Sequence, residues 1–165
     1  MNEAAVRTLL DENEIRKLVI RMSNGMDLRD YDMFRSAWAD EVELDIPAMG
    51  GDAVPLSGKL SADVYAQGVI TMLSEFTATQ HCSTNHLIDI EGDIATCACY
   101  TLATHYLSVG ALDPWNSVGA RYDFTAHRLP QGWRIVTLKW TRLWSSGNEG
   151  LWPEVARRVA TLPTA

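Results

Sequence analysis

Cysteine is scarce in this chain: Cys82, Cys97 and Cys99 cannot all pair with one another, and Cys97-Ala98-Cys99 lacks the two-residue spacer of a redox or zinc motif. Free buried thiols in a reducing cytoplasm are the expectation that follows. Long apolar runs are also missing. None approaches the ~20 residues of a membrane span, and Glu3, Arg7, Asp11 and Glu12 interrupt the N-terminus where a secretory signal needs an apolar core. Basic charge is in deficit, with 14 Lys and Arg against 21 Asp and Glu, and a net charge of −7 repels phosphate backbones. Neither nucleic acid nor a membrane is an expected partner. Gly-x-Ser-x-Gly, G-x-G-x-x-G, a phosphate loop, H-x-H and H-E-x-x-H are all absent, so no cofactor and no metal are expected.

What remains is ordinary in bulk. With 165 residues, 47% of them hydrophobic and 21% charged, the chain fits one folded domain, 1–165, with room for a single pocket. Apolar residues recur at helical spacing from Asp11 to Met26, and Asp11 with Glu14 resembles a capping box. Tyr31 to Ala39 reads as a shorter helix carrying Met33, Phe34 and Trp38 inward, and Glu41 to Ile46 as a strand with one wet face. Residues 48–55 read as a loop that could cover a pocket mouth. Ser61 caps a third helix, Ala62 to Glu75, with Val64, Ile70 and Leu73 inward.

From Gln80 onward β-branched and aromatic residues dominate, and turn signals at Glu91-Gly92-Asp93 and Leu129-Pro130-Gln131-Gly132 predict two hairpins, 80–90 with 94–109 and 116–129 with 133–145. Asp113-Pro114 joins them, and the tail 148–165 holds a short helix from Trp152 to Leu162. Helices first and antiparallel strands after make the fold class α+β.

Among polar residues His81 stands out, because imidazole exchanges protons near neutral pH. Asp27 closes the long helix in Asn24-Gly25-Met26-Asp27. Pointed under the sheet, its carboxylate would accept the proton-bearing ring nitrogen of His81 and leave the other nitrogen as a base. His105 shares a face with His81 if a three-residue turn pairs Ile90 with Ile94, but not across a two-residue turn. His86 has opposite parity from His81 and is expected to face away. Arg142, on a face with Val136, Leu138, Trp140 and Trp144, needs a rim carboxylate or a ligand. Arg121 and Asp123, two apart on one strand face, are expected to pair. Trp38, Phe76, Trp140 and Trp144 are candidate pocket walls, and each suits the core equally.

The helix ending Gly25-Met26-Asp27, the run Thr79-Gln80-His81 through Asn85, and Gly92-Asp93 leading into Tyr100-Thr101-Leu102-Ala103-Thr104-His105 resemble the SnoaL-like branch of the nuclear transport factor 2-like superfamily over roughly residues 10–147. The resemblance implies a cone-shaped α+β barrel, with N-terminal helices packed in a curved, mostly antiparallel sheet. Asp27 and His81 match the catalytic aspartate and histidine of scytalone dehydratase and hexachlorocyclohexane dehydrochlorinase, and His105 looks like the dehydratase's second histidine. Met26 stands where that dehydratase has a tyrosine, which argues against scytalone as substrate.

These readings together give a cofactor-independent lyase acting on a small, largely apolar, aromatic or cyclic molecule. Asp27, His81 and His105 would carry the chemistry, and Trp38, Phe76, Asn85, Tyr106, Trp140 and Arg142 would bind substrate. An isomerase or polyketide cyclase using the same base, and a non-catalytic binding module or partner subunit, are the alternatives. A homo-oligomer, trimer or dimer, is implied by the resemblance and by an open sheet that needs its outer face covered.

Overall fold

The computed structural model describes residues 2–47, 56–108 and 113–162. Helix α1 (Glu3–Leu28) opens on Asn2, whose side chain accepts from the Ala4 N–H, and buries Ile15, Leu18, Val19, Met22 and Met26 along one stripe. The helix therefore begins ahead of the expected cap at Asp11. That residue is instead buried mid-helix, where its carboxylate accepts from Arg128 at 2.6 and 2.7 Å and from the Trp133 indole at 3.1 Å. The Arg128 guanidinium, stacked 4.4 Å from the Trp133 ring, holds the Asp11 carboxyl below the usual range against the opposing effect of burial. This clasp pins the N-terminal half of α1 to the far end of the sheet.

The short α2 (Tyr31–Arg35) is capped by Asp30 and ends before the expected Ala39, so Trp38 and Ala39 open strand β1 (Trp38–Ile46). The predicted loop 48–55 lies outside the described residues. Strand β2 (Leu56–Ser61), which the sequence did not announce, pairs antiparallel with β1. Helix α3 (Ala62–Ser74) follows its Ser61 cap as expected, although Val64 is exposed. Then come β3 (Ala78–Glu91), β4 (Ile94–Tyr106), β5 (Trp115–Leu129) and β6 (Gly132–Gly147), closed by α4 (Leu151–Ala160).

The six strands form one open sheet in the order β2-β1-β6-β5-β4-β3, antiparallel except where β1 meets β6. The alternating inner residues of β4 to β6, such as Cys97, Cys99, Phe124, Ile135 and Leu138, share one core with α1, α3 and Trp152 of α4. This is an α+β architecture. Cys82 departs from the expectation of buried thiols by facing solvent. Among the described residues no helix is long and apolar enough to cross a membrane.

Candidate active site

The site depends on one extra residue in β3. The turn between β3 and β4 has two residues, with Glu91 opposite Ile94, and on an unbroken ladder that register would put His81 and His105 on opposite faces. Between Thr84 and Leu87 the register shifts, so that His81 pairs with Ala103 and Thr79 with His105. Two residues, Asn85 and His86, lie where β4 has only Cys99, a β-bulge. Asn85 takes the left-handed conformation the bulge requires, φ 57°, which asparagine tolerates better than most residues. His81 and His105 therefore share the inner face despite the short turn. The same bulge turns His86 to the inner side, against the expectation that it faces away; burial, with Arg16 nearby, pushes its pKa down.

Asp27 reaches the sheet because α1 ends there. Gly25 lets α2 approach closely: a Cβ at that position would lie 2.5 Å from the Phe34 nitrogen. The Asp27 carboxylate takes the His81 ring Nδ1 on Oδ1 at 2.6 Å and the His81 backbone N–H on Oδ2 at 2.8 Å, and the Thr79 hydroxyl donates to Oδ1 at 2.9 Å. Burial pushes this carboxyl's pKa up, but the hydrogen bonds from the His81 ring and backbone and from Thr79 outweigh it and hold the group below its ordinary value. An ionised Asp27 thus fixes the proton on His81 Nδ1 and leaves Nε2 with a free lone pair. The imidazole is only 6% exposed.

His81 opens into a cavity of about 190 Å³ whose walls are mostly apolar: Met22 and Met26 of α1, Val69, Met72 and Leu73 of α3, Val118, Leu138, Trp140 and others from the strands. An apolar cavity of about 150 Å³ holds a benzene ring, so this one suits a single small ring. His105 lines the same cavity, its ring centroid 5.5 Å from that of His81 and nearly perpendicular to it. Against His105 pack Phe76 at 5.0 Å, from behind, and Trp152 at 4.5 Å, itself part of the cavity wall. Burial, aided by the neighbouring His81, pushes the His105 pKa down to about 3, so this imidazole stays neutral at physiological pH. Among the described residues no three His, Cys, Asp or Glu side chains converge as a metal site requires.

A family model described as the SnoaL-like domain matches residues 7–139. The chain belongs to the SnoaL-like family. A Kribbella flavida protein is 27% identical and superposes with a TM-score of 0.80 over 88% of this SnoaL-like chain and 99% of its own. A Novosphingobium aromaticivorans protein assigned as a scytalone dehydratase is 16% identical (TM-score 0.70; 84% of this chain, 88% of that one). Hexachlorocyclohexane dehydrochlorinase LinA-type3 of Novosphingobium barchaimii is 17% identical (TM-score 0.72; 88% and 95%). A search of curated proteins returned no match. The last two likenesses establish the cone-shaped fold, whose open sheet holds the helices of the SnoaL-like protein within its curve.

Of the residues singled out in this SnoaL-like sequence, Asp27, His81, His105 and Trp140 meet at the cavity or its dyad. Others do not. Trp38 is buried without lining the cavity, 5.7 Å from Phe34 and 5.0 Å from Tyr65, which does line it. Phe76 supports His105 from behind without lining the cavity. Asn85 serves the bulge, and Tyr106 stands on the outer face, 41% exposed, because its parity is opposite to that of His105. Arg142 reaches the rim carboxylate of Glu149 at 3.3 Å rather than the cavity. A register shift between Gly119 and Ala120 then turns Trp144 outward. Arg121 and Asp123 pair with each other, as expected.

Sequence reasoning missed Thr79, and also Tyr122 and Trp152, which line the cavity. Thr79 carried a usable signal, since it precedes His81 by one strand period. Trp152 carried none, because only the packing of α4 brings it to His105; its indole N–H is held by the buried Asn116 side chain at 3.1 Å.

Proposed function

We propose that this SnoaL-like protein is a cofactor-independent lyase acting on a small, uncharged, single-ring substrate. The observation that carries the reading is a paired imidazole at the wall of an apolar cavity: His81 Nδ1 bound to Asp27 at 2.6 Å, with Nε2 left to the cavity. The activities assigned to two structural neighbours, a dehydratase and a dehydrochlorinase, are both eliminations and support the same class. No Lys, Arg, Asp or Glu lines the cavity among the described residues, which favours a neutral substrate over an acid or a phosphate ester.

In this mechanism Nε2 of His81 takes a proton from a ring carbon. The C–H electron pair becomes the new double bond, and a hydroxyl or halide on the adjacent carbon departs with its own pair. Asp27 stabilises the imidazolium that forms; where the leaving group is hydroxyl, that proton leaves with it as water. His105, neutral, steadies the leaving group by a hydrogen bond instead of donating a full proton. General base catalysis contributes about 10²- to 10⁴-fold, and the water-poor cavity adds positioning.

The test is a panel of neutral single-ring compounds bearing hydroxyl or chloride beside an acidic C–H, followed by NMR and by halide release. An unsaturated product that has lost water or HCl, formed by the native protein and not by His81→Ala, is the expected result. A product that keeps its leaving group points instead to an isomerase or cyclase. Binding of ring compounds without conversion of any points to a binding module.

A further inference from the structure

Arg29, the residue that ends α1, holds φ at 58°, in the left-handed region where glycine is the usual occupant. For an arginine that backbone costs about 1 kcal/mol. The side chain uses the position in a way glycine cannot. Its Nη1 donates to the Met26 carbonyl, to the Asp27 carbonyl at 3.3 Å and to Thr79 Oγ1 at 2.7 Å. Thr79 then meets Asp27 Oδ1 at 2.9 Å.

A guanidinium has donors only, so the direction of this chain is fixed. Thr79 accepts from Arg29, and its one proton is committed to Asp27. The carboxylate oxygen that faces the ring therefore receives two donors, Thr79 and His81 Nδ1, while its other oxygen receives the His81 backbone N–H. Neither Arg29 nor Thr79 lines the cavity. We propose that Arg29 and Thr79 are positioning residues of the dyad: Arg29 sets the direction of the Thr79 hydroxyl, which orients Asp27 and saturates it with donors, so the shared proton stays on His81 Nδ1. The proposal rests on the dyad reading above but makes a separate claim. A carboxylate satisfied in this way is a weaker competitor for the imidazole proton.

The charged or titratable groups facing Asp27 are His81 from β3, Arg29 from the end of α1, His105 from β4 and Tyr122 from β5. The experiment is a carbon-13 titration of the Asp27 carboxyl in the full-length protein, needing no substrate, in the native chain, Thr79→Val, Thr79→Ser, Arg29→Gln and the Thr79→Val, Arg29→Gln double variant. The His81 backbone amide resonance, which reports the Oδ2 contact, serves as the structural control. Thr79→Val is expected to move the carboxyl midpoint up toward the ordinary carboxylate range, and Thr79→Ser to restore it. Arg29→Gln is expected to move it the same way in the native background and less where the Thr79 hydroxyl is already gone. A midpoint unmoved by Thr79→Val with the amide in place, or an Arg29→Gln effect independent of Thr79, overturns the proposal. Failure of the lyase reading shows separately, as ring compounds left unconverted while these shifts occur.

Discussion

At His105 burial decides the charge. The ring is 2% exposed, its Nδ1 lacks a hydrogen-bond partner, and its pKa lies at about 3 in the folded protein, against about 6.5 for an unfolded histidine. Between those values the unfolded chain binds a proton that the folded chain refuses. Stability from this residue is therefore complete above pH 6.5 and is lost progressively as pH falls toward 3, a loss of about 2 kcal/mol by pH 5. The carboxyls of Asp27 and Asp11, also held low, lose their contribution only as pH falls through and below the ordinary carboxylate range, so the interval from pH 7 to pH 5 lies almost wholly above their window. Urea denaturation at pH 7 and pH 5 checks this: His105→Phe should flatten the native slope by that amount, and an unchanged slope would show that His105 already charges in the folded state.

At the scale of elements, the β3 bulge and the α1–α2 crossing place the dyad. Asn85→Gly should change stability by no more than about 0.5 kcal/mol, whereas Asn85→Val, a β-branched residue forced to positive φ, should cost about 1–2 kcal/mol. Deleting Asn85 should do more. It restores an unbroken ladder from the two-residue turn, separates the faces of His81 and His105, and abolishes any activity that needs both. Gly25→Ala should cost about 1–3 kcal/mol in thermal or urea unfolding, because its Cβ would meet the Phe34 backbone. The helix stripe and the two hairpins were legible in the sequence because each is a local period, whereas Asp27 with His81 became candidates chiefly through the resemblance of their segments to the SnoaL-like pattern. The bulge was not legible, since Asn85-His86 has no local signature and alternation through it predicts the wrong face for His86. The same limit hid the outward turn of Trp144 and the approach of Trp152 to His105, which arise from register and tertiary packing.

At the scale of the whole molecule, the open sheet leaves an apolar outer face. Leu102, Tyr106, Trp115 and Trp144 are each 40–50% exposed there, with Tyr106 directly opposite Trp115 and the Trp144 indole lying over Gly119. We propose that a second copy of the chain covers this face. Light scattering should give a multiple of the 18.3 kDa chain mass, and Leu102→Lys with Trp115→Glu should return it to 18.3 kDa; a native monomer would contradict this. Inside the cone, the proposed chemistry rests on an aspartate-held imidazole. Its most direct test is the turnover of one converted ring substrate by Asp27→Asn and His81→Ala beside the native protein, with folding checked by circular dichroism. Both variants should lose about 10²- to 10⁴-fold in kcat while remaining folded. Turnover by both variants at the native rate would contradict it.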